Sequence, residues 1–123
     1  MKILIAEDNE LILKLIETKL RKEGHEVVSC ENGKEAIEKL AHFHPEVILT
    51  DIMLPFKSGL EIISFAKKKF SNQVFILVLS SLGQESTVKE AFGLGADDYM
   101  TKPFNLPQLS LRLKRLLNVS TAA

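Results

Sequence analysis

The chain has 123 residues, 46% of them hydrophobic and 26% charged, the balance of an ordinary globular domain whose core needs no disulfide or metal staple. Lys and Arg together number 16, as do Asp and Glu, so no net field draws the chain to nucleic acid or to an anionic membrane. The single cysteine, Cys30, excludes an internal disulfide, and no apolar run approaches the ~20 residues of a membrane helix.

Ile3 to Ala6 reads as a first strand that runs straight into the acidic pair Glu7-Asp8. It is too short for a signal peptide, and the expected compartment is the cytoplasm. A helix follows, with Leu11, Ile12, Leu15, Ile16 and Leu20 as its apolar stripe and Gly24 as its stop. Glu26 to Cys30 is a short second strand, and Asn32-Gly33 turns into a helix whose apolar face is Ala36, Ile37, Leu40 and Ala41. Pro45 closes that unit. The run Val47-Ile48-Leu49-Thr50-Asp51 reads as a buried strand ending on a carboxylate, followed by a loop punctuated by Pro55 and Gly59.

A third helix extends from Ser58 to about Phe70 and buries Leu60, Ile63, Ala66 and Phe70, with Lys67-Lys68-Lys69 as its solvated end. Val74 to Leu79 is the most apolar strand and ends on Ser80-Ser81. A short helix around Ser86 to Phe92 precedes a brief last strand, Asp97 to Thr101, and the loop Lys102-Pro103-Phe104. The final helix starts near Asn105, tolerates Pro107 in its first turn, packs Leu109, Leu113, Leu116 and Leu117, and frays over Val119 to Ala123. His25, His42 and His44 read as surface or turn residues, and Cys30 as a small buried apolar side chain.

Strand and helix alternate throughout, which predicts an α/β domain with a parallel sheet covered by helices on both faces. In such sheets ligands sit beyond the carboxyl ends of the strands. Four of the strands deliver a polar group there: Glu7-Asp8, Asp51, Ser80 and Lys102. Each alone has an ordinary explanation, such as Asp8 or Asn9 capping a helix or Ser80 sitting in a turn. Their placement on one rim points to chemistry. Asp8 and Asp51 brought together repel, and Mg²⁺ removes that penalty. An ammonium at Lys102 and a hydroxyl at Ser80 complement phosphoryl oxygens, leaving Asp51 to attack phosphorus.

Glu7-Asp8, Asp51-Ile-Met-Leu-Pro with Gly59, Ser80, and Gly95-Ala-Asp-Asp-Tyr-Met-Thr-Lys-Pro-Phe104 resemble the receiver domain of bacterial two-component response regulators. The resemblance covers essentially the whole chain and implies one receiver domain over residues 1–123, with residues 119–123 as a frayed tail. It also implies a flavodoxin-like sheet of five parallel strands in the order 2-1-3-4-5. By this resemblance Asp51 is the phosphoacceptor, supplied by a sensor histidine kinase or phosphotransfer protein. Asp8 and Asp51 would ligate Mg²⁺ directly, Glu7 through water, and Met53 through its backbone carbonyl. Lys102 would pair with the phosphoryl group, and the Lys102-Pro103 bond would be cis. Ser80 and Tyr99 would be the switch, moving the surface of the fourth helix, last strand and fifth helix to control a homodimer or an output partner.

The same resemblance makes the chain no turnover enzyme beyond catalysing its own phosphorylation and slow dephosphorylation. Met53 and Leu82, two residues past Asp51 and Ser80, are apolar and orient a hydrolytic water poorly, which predicts a long-lived phosphoryl group. Leu111 falls on the outer side of the last helix, a possible partner contact. Arg112, Lys114 and Arg115 form too small a basic patch to predict direct nucleic-acid binding. With no DNA-binding module after the last helix, the chain reads as a stand-alone regulator or an excised receiver. Three alternatives compete: a pseudo-receiver that binds without being phosphorylated, a phosphatase of the haloacid-dehalogenase type, and a flavin binder. Such a phosphatase wants an acid where Met53 stands. A flavin binder wants a phosphate-cradling loop where Glu7-Asp8 stands.

Overall fold

The computed structural model describes residues 1–81 and 83–122, with residues 117–122 described in backbone only. In chain order the elements are β1 Lys2–Ala6, α1 Glu10–Lys22, β2 Glu26–Cys30, α2 Gly33–Leu40, β3 Val47–Asp51, α3 Gly59–Phe70, β4 Phe75–Ser80, α4 Glu85–Leu94, β5 Asp98–Thr101 and α5 Leu106–Ala122. All strand pairs are parallel, and the sheet order is β2-β1-β3-β4-β5.

The two faces of the sheet are read directly from the period of two along the strands. Leu4, Ala6, Ile48, Ile76 and Val78 face a core built with α2, α3 and α4. Ile3, Ile5, Val47, Leu49, Leu77 and Leu79 face a second core built with α1 and α5. Central strand β3 is buried along its whole length, so Asp51 stands at the end of the most shielded strand.

Helix starts are set by side-chain caps, each satisfying an amide that the helix leaves unpaired. Asn9 accepts from the Ile12 amide at 3.0 Å, Asn32 from Glu35 at 2.8 Å, Ser58 from Glu61 at 3.4 Å and Asn105 from Gln108 at 2.8 Å. Because Asn9 caps α1, the neighbouring Asp8 carboxylate is left for other work.

The structure corrects the sequence reading at several faces. On α1 the buried residues are Leu13, Ile16 and Leu20, while Leu11 and Leu15 are 70% and 50% exposed. On α3 Ile62 is buried where Leu60 was expected, because Leu60 packs only at the margin of the core. Ala41 is the exposed C-cap of α2 and not part of its apolar face. Lys67 is not solvated: its ammonium reaches the Val74 carbonyl at 3.3 Å and Asp97 at 3.9 Å, and its stem lies against Gly95. His25 is half-buried, with an Nδ1 that has no partner, and burial lowers its pKa. On α5 Leu109 and Leu113 are buried and Leu116 is half-buried, while the Leu117 side chain lies outside the described residues.

Candidate functional site

The carboxyl edge of the sheet gathers one ammonium and three carboxylates. Glu7 follows β1 with its side chain fully buried, and its backbone is tied to β2 by a 3.0 Å hydrogen bond from its amide to the Cys30 carbonyl. Asp51 closes β3 and is 5% exposed. Carboxylate oxygens of Glu7, Asp8 and Asp51 all lie within 4.8 Å of one another. Lys102, just past β5, donates to Glu7 Oε1 at 2.7 Å and lies 2.8 and 2.9 Å from the two Asp51 oxygens.

Two neighbouring groups hold the acids in place. The Asn9 amide donates to Glu7 Oε2 at 3.1 Å, so each Glu7 oxygen is oriented by a donor. The Thr50 hydroxyl, buried just before Asp51, donates to the Asp51 carbonyl at 2.9 Å. Gly59 makes room for the turn back: its amide donates to the Ile52 carbonyl at 2.8 Å, and a Cβ there would stand 2.2 Å from the Asp51 carbonyl oxygen.

The electrostatics follow from burial and proximity. Burial, reinforced by the hydrogen bond with Glu7, pushes Asp51 up to about 8, against the pull of Lys102. Burial also acts to raise Glu7, but its hydrogen bonds with Asp51, Lys102 and the Asn9 amide outweigh it and hold this acid low. Burial disfavours the Lys102 ammonium, and the two acids overcome that and raise its pKa. Glu7 and Asp51 thus titrate as an interacting pair with a cation beside them. Three acids around one ammonium leave surplus negative charge, and the donor set is all oxygen. That set suits a hard divalent cation, so the acidic pocket has the chemistry to bind a metal.

Other residues singled out from the sequence lie around this centre. Ser80 is 3% exposed at the end of β4, and its carbonyl accepts from the Lys102 amide at 2.6 Å. The Lys102-Pro103 bond is cis. Met53 stands on the β3–α3 loop and is 62% exposed. Tyr99 is 42% exposed and packs edge-on to Phe92, with ring centres 5.9 Å apart. A cavity of about 390 Å³ opens between Tyr99 and Ser80, lined also by Val88, Lys89 and Thr101. Leu111 is exposed on α5. Leu82 lies outside the described residues.

Sequence reasoning missed two contacts. The first is the direct bond from the Lys102 ammonium to Glu7 Oε1 at 2.7 Å, beside the role through water expected of Glu7. Arg112, taken as part of a surface patch, donates to Asp98 at 2.9 Å and to the Tyr99 carbonyl at 2.8 Å. Nothing in local sequence signals either, since both depend on how β5 returns to the sheet. Cys30 is buried, and burial raises its thiol to about 12, so it is inert.

Comparison with known proteins gives a consistent result. The response regulator receiver domain matches residues 3–114 of the chain. The chain is 38% identical to response regulator RR06 of Streptococcus pneumoniae serotype 2 over 117 residues, covering 95% of this chain and 53% of that protein. It is 36% identical to the transcriptional regulatory protein CrdR of Helicobacter pylori, with 95% and 55% covered. The chain therefore spans about half the length of these curated relatives. Among solved structures, the BeF3-activated DrrB receiver domain superposes with a TM-score of 0.85 at 33% identity, covering 95% of this chain and 97% of that one. The fold, the acid-and-lysine edge and these matches agree: the chain belongs to the response regulator receiver domain family of two-component signalling systems.

Proposed function

We propose that this receiver domain accepts a phosphoryl group on Asp51 in a Mg²⁺-dependent reaction and passes the signal on through the α4-β5-α5 surface. The observation that carries this reading is the buried Asp51 carboxylate, with an acidic pair and an ammonium converging on it at one sheet edge. The donor is a phosphohistidine on a sensor kinase or phosphotransfer protein, and the compartment is the cytoplasm. Among the described residues no helix is long and apolar enough to cross a membrane.

An Asp51 oxygen attacks phosphorus; the new O–P bond forms as the donor's N–P bond breaks, and the leaving imidazole takes a proton from solvent. Asp51 must be ionised to attack. Lys102, already within 2.8 Å, favours that form and is poised to pair with a phosphoryl oxygen. Asp8, Asp51 and the Met53 carbonyl would hold Mg²⁺ directly, with Glu7 acting through water. When bound, the cation neutralises the acids and the charge developing on the phosphoryl oxygens. Ser80 donates its hydroxyl to a phosphoryl oxygen. Tyr99 then turns from Phe92 into the cavity behind Ser80, which changes the face that a second copy or an output partner reads. The apolar Met53 leaves the attacking water of hydrolysis without an orienting group, so the phosphoryl group decays slowly. Activation of the related DrrB receiver domain by BeF3 supports extending the same chemistry to this chain.

Incubation with acetyl phosphate, with and without Mg²⁺, tests the reading by intact mass. A metal-dependent gain of one phosphoryl group is expected. No gain by the folded protein with donor and metal in excess would favour a pseudo-receiver.

A further inference from the structure

Helix α4 is fastened at one end only. The other helices open on a side-chain cap, whereas Gln84, which precedes α4, accepts no amide of its helix. Its side-chain oxygen turns back to the Ser81 amide at 2.7 Å instead, so the first turn goes without the stabilisation a cap supplies. Along its length α4 buries only Val88 and Ala91. Its N-terminal half, through Glu85, Val88 and Lys89, walls the cavity that also holds Ser80 and Tyr99.

The C-terminal end is closed from several sides. The Gly95 and Ala96 amides donate to the Phe92 and Ala91 carbonyls at 3.1 and 3.0 Å. The Asp97 amide donates to the Ile76 carbonyl at 2.9 Å, and the Asp97 carboxylate accepts from the Ile76 amide at 2.8 Å, which stitches the turn to β4. Lys67 of α3 completes the closure. Its ammonium reaches the Val74 carbonyl at 3.3 Å and Asp97 at 3.9 Å. Its stem lies so close to Gly95 that a Cβ there would stand 2.8 Å from the Lys67 Cε, and Gly95 has φ +120°, a conformation that favours glycine. With its side chain only 19% exposed, Lys67 binds together α3, the entry to β4 and the turn that ends α4.

We propose that Lys67 is a positioning residue that pins the C-terminal end of α4, so that the helix answers Ser80 by pivoting on Gly95. The pin is read from the contacts themselves. The pivot rests on the phosphoryl-transfer reading, in which Ser80 turns to a phosphoryl oxygen and Tyr99 enters the cavity. Segments that move are drawn from the weakly held parts of a fold, and here that part is the end of α4 nearest Ser80. Ten residues make a lever of about 15 Å. A ring entering the cavity presses on Val88 and Lys89, while the turn after Phe92 stays with the sheet. The part of the α4-β5-α5 face that changes most is therefore the end bearing Glu85 and Lys89.

Amide-resolved hydrogen exchange of the whole chain, with and without beryllium fluoride and Mg²⁺, tests this in wild type, Lys67→Ala and Lys67→Met. Each rate is divided by that of Leu49 in β3, which removes any change in global stability. In wild type, beryllium fluoride changes exchange at residues 88–90 by about fivefold or more, and at Ala96 and Asp97 by less than about twofold. Lys67→Ala speeds Ala96 and Asp97 by about tenfold and at least halves the response at residues 88–90, because an unpinned helix yields at both ends. Lys67→Met keeps the stem against Gly95 and falls between the two. Labelling by acetyl phosphate is unchanged in both variants, since the partners of Lys67 lie at the opposite end of β4 from Ser80. Unchanged relative exchange at Ala96 and Asp97 in Lys67→Ala overturns the pin. Equal wild-type responses at the two ends of α4 overturn the pivot, as does a shifted Asp51 resonance with no response in α4. An Asp51 resonance that beryllium fluoride and Mg²⁺ leave unmoved means that the phosphoryl-transfer reading itself has failed, and the pivot falls with it.

Discussion

The Lys102 ammonium lies 2.8 Å from an Asp51 oxygen although 51 residues separate the two in the chain. The contact exists because β5 is the outer neighbour of β4, and β4 of β3, all running the same way. Lys102 leaves the sheet at the edge where Asp51 ends its strand. This pairing is both a structural and a chemical element of the site.

Lys102→Met removes the cation from a fully buried Glu7 and a nearly buried Asp51. Breaking a buried pair on one side costs about 3–5 kcal/mol. The coupled acids can retain a proton between them, so a loss nearer 2 kcal/mol is expected in urea denaturation at neutral pH. Phosphorylation by a small donor should slow by more than tenfold, consistent with the magnitude of an electrostatic stabiliser.

Without metal, the folded Asp51 carboxyl holds its proton up to about pH 8, against an ordinary value of 3.8. The unfolded chain releases that proton first. The folded state therefore binds more protons between these limits, and stability falls as pH rises through the window. Glu7 moves the opposite way, but it titrates below its ordinary value of 4.5 and so outside the upper part of this window. Asp51→Asn should accordingly gain on wild type by on the order of 2 kcal/mol between pH 5 and pH 8 in EDTA, measured by urea denaturation. A constant difference across that range would contradict the coupled-acid description.

Mg²⁺ should stabilise the folded wild type by about 1.4 kcal/mol at ten times its dissociation constant. Asp8→Ala and Asp51→Asn should each lose most of that increment, read as the metal-dependent shift in Tm.

Gly59→Ala places a methyl group 2.2 Å from the Asp51 carbonyl oxygen, and Gly33→Ala places one 1.6 Å from that of Lys57. Both neighbours are backbone and cannot step aside, so each substitution should cost about 2 kcal/mol or more. Gly93→Ala meets nothing within 4 Å inside α4 and should be neutral or stabilise by about 0.5–1 kcal/mol. Thermal denaturation of the three variants compares them directly.

Tyr99 is the only tyrosine, and the chain has no tryptophan, so intrinsic emission reports this one ring. Adding beryllium fluoride with Mg²⁺ should change tyrosine emission as the ring leaves Phe92 for the cavity by Ser80. Ser80→Ala should blunt the change, and an unaltered spectrum in wild type would contradict the switch.

The layer arrangement and the identity of the strand-end residues were readable because they depend on local apolar runs and on where each run stops, whereas the strand order followed only from the family resemblance. Element faces were less so. In α1 apolar residues occupy positions 11, 12, 13, 15 and 16, so two adjacent stripes are equally well written. Only the packing of α1 beside α5 on one face of the sheet selects the one through Leu13. Lys67 looked like one of three solvated lysines until the Gly95 turn supplied a groove for its stem. Arg112 was assigned by its neighbours in sequence, whereas its partners Asp98 and Tyr99 stand on β5.

Borohydride reduction of the phosphorylated protein followed by peptide mapping tests the central claim most directly, since it converts only an acyl phosphate into the corresponding alcohol. Homoserine at position 51, absent without Mg²⁺ or donor, is the expected result. The same mark at Asp8, or a phosphoryl group on the chain with no homoserine at position 51, would contradict the assignment of Asp51 as acceptor.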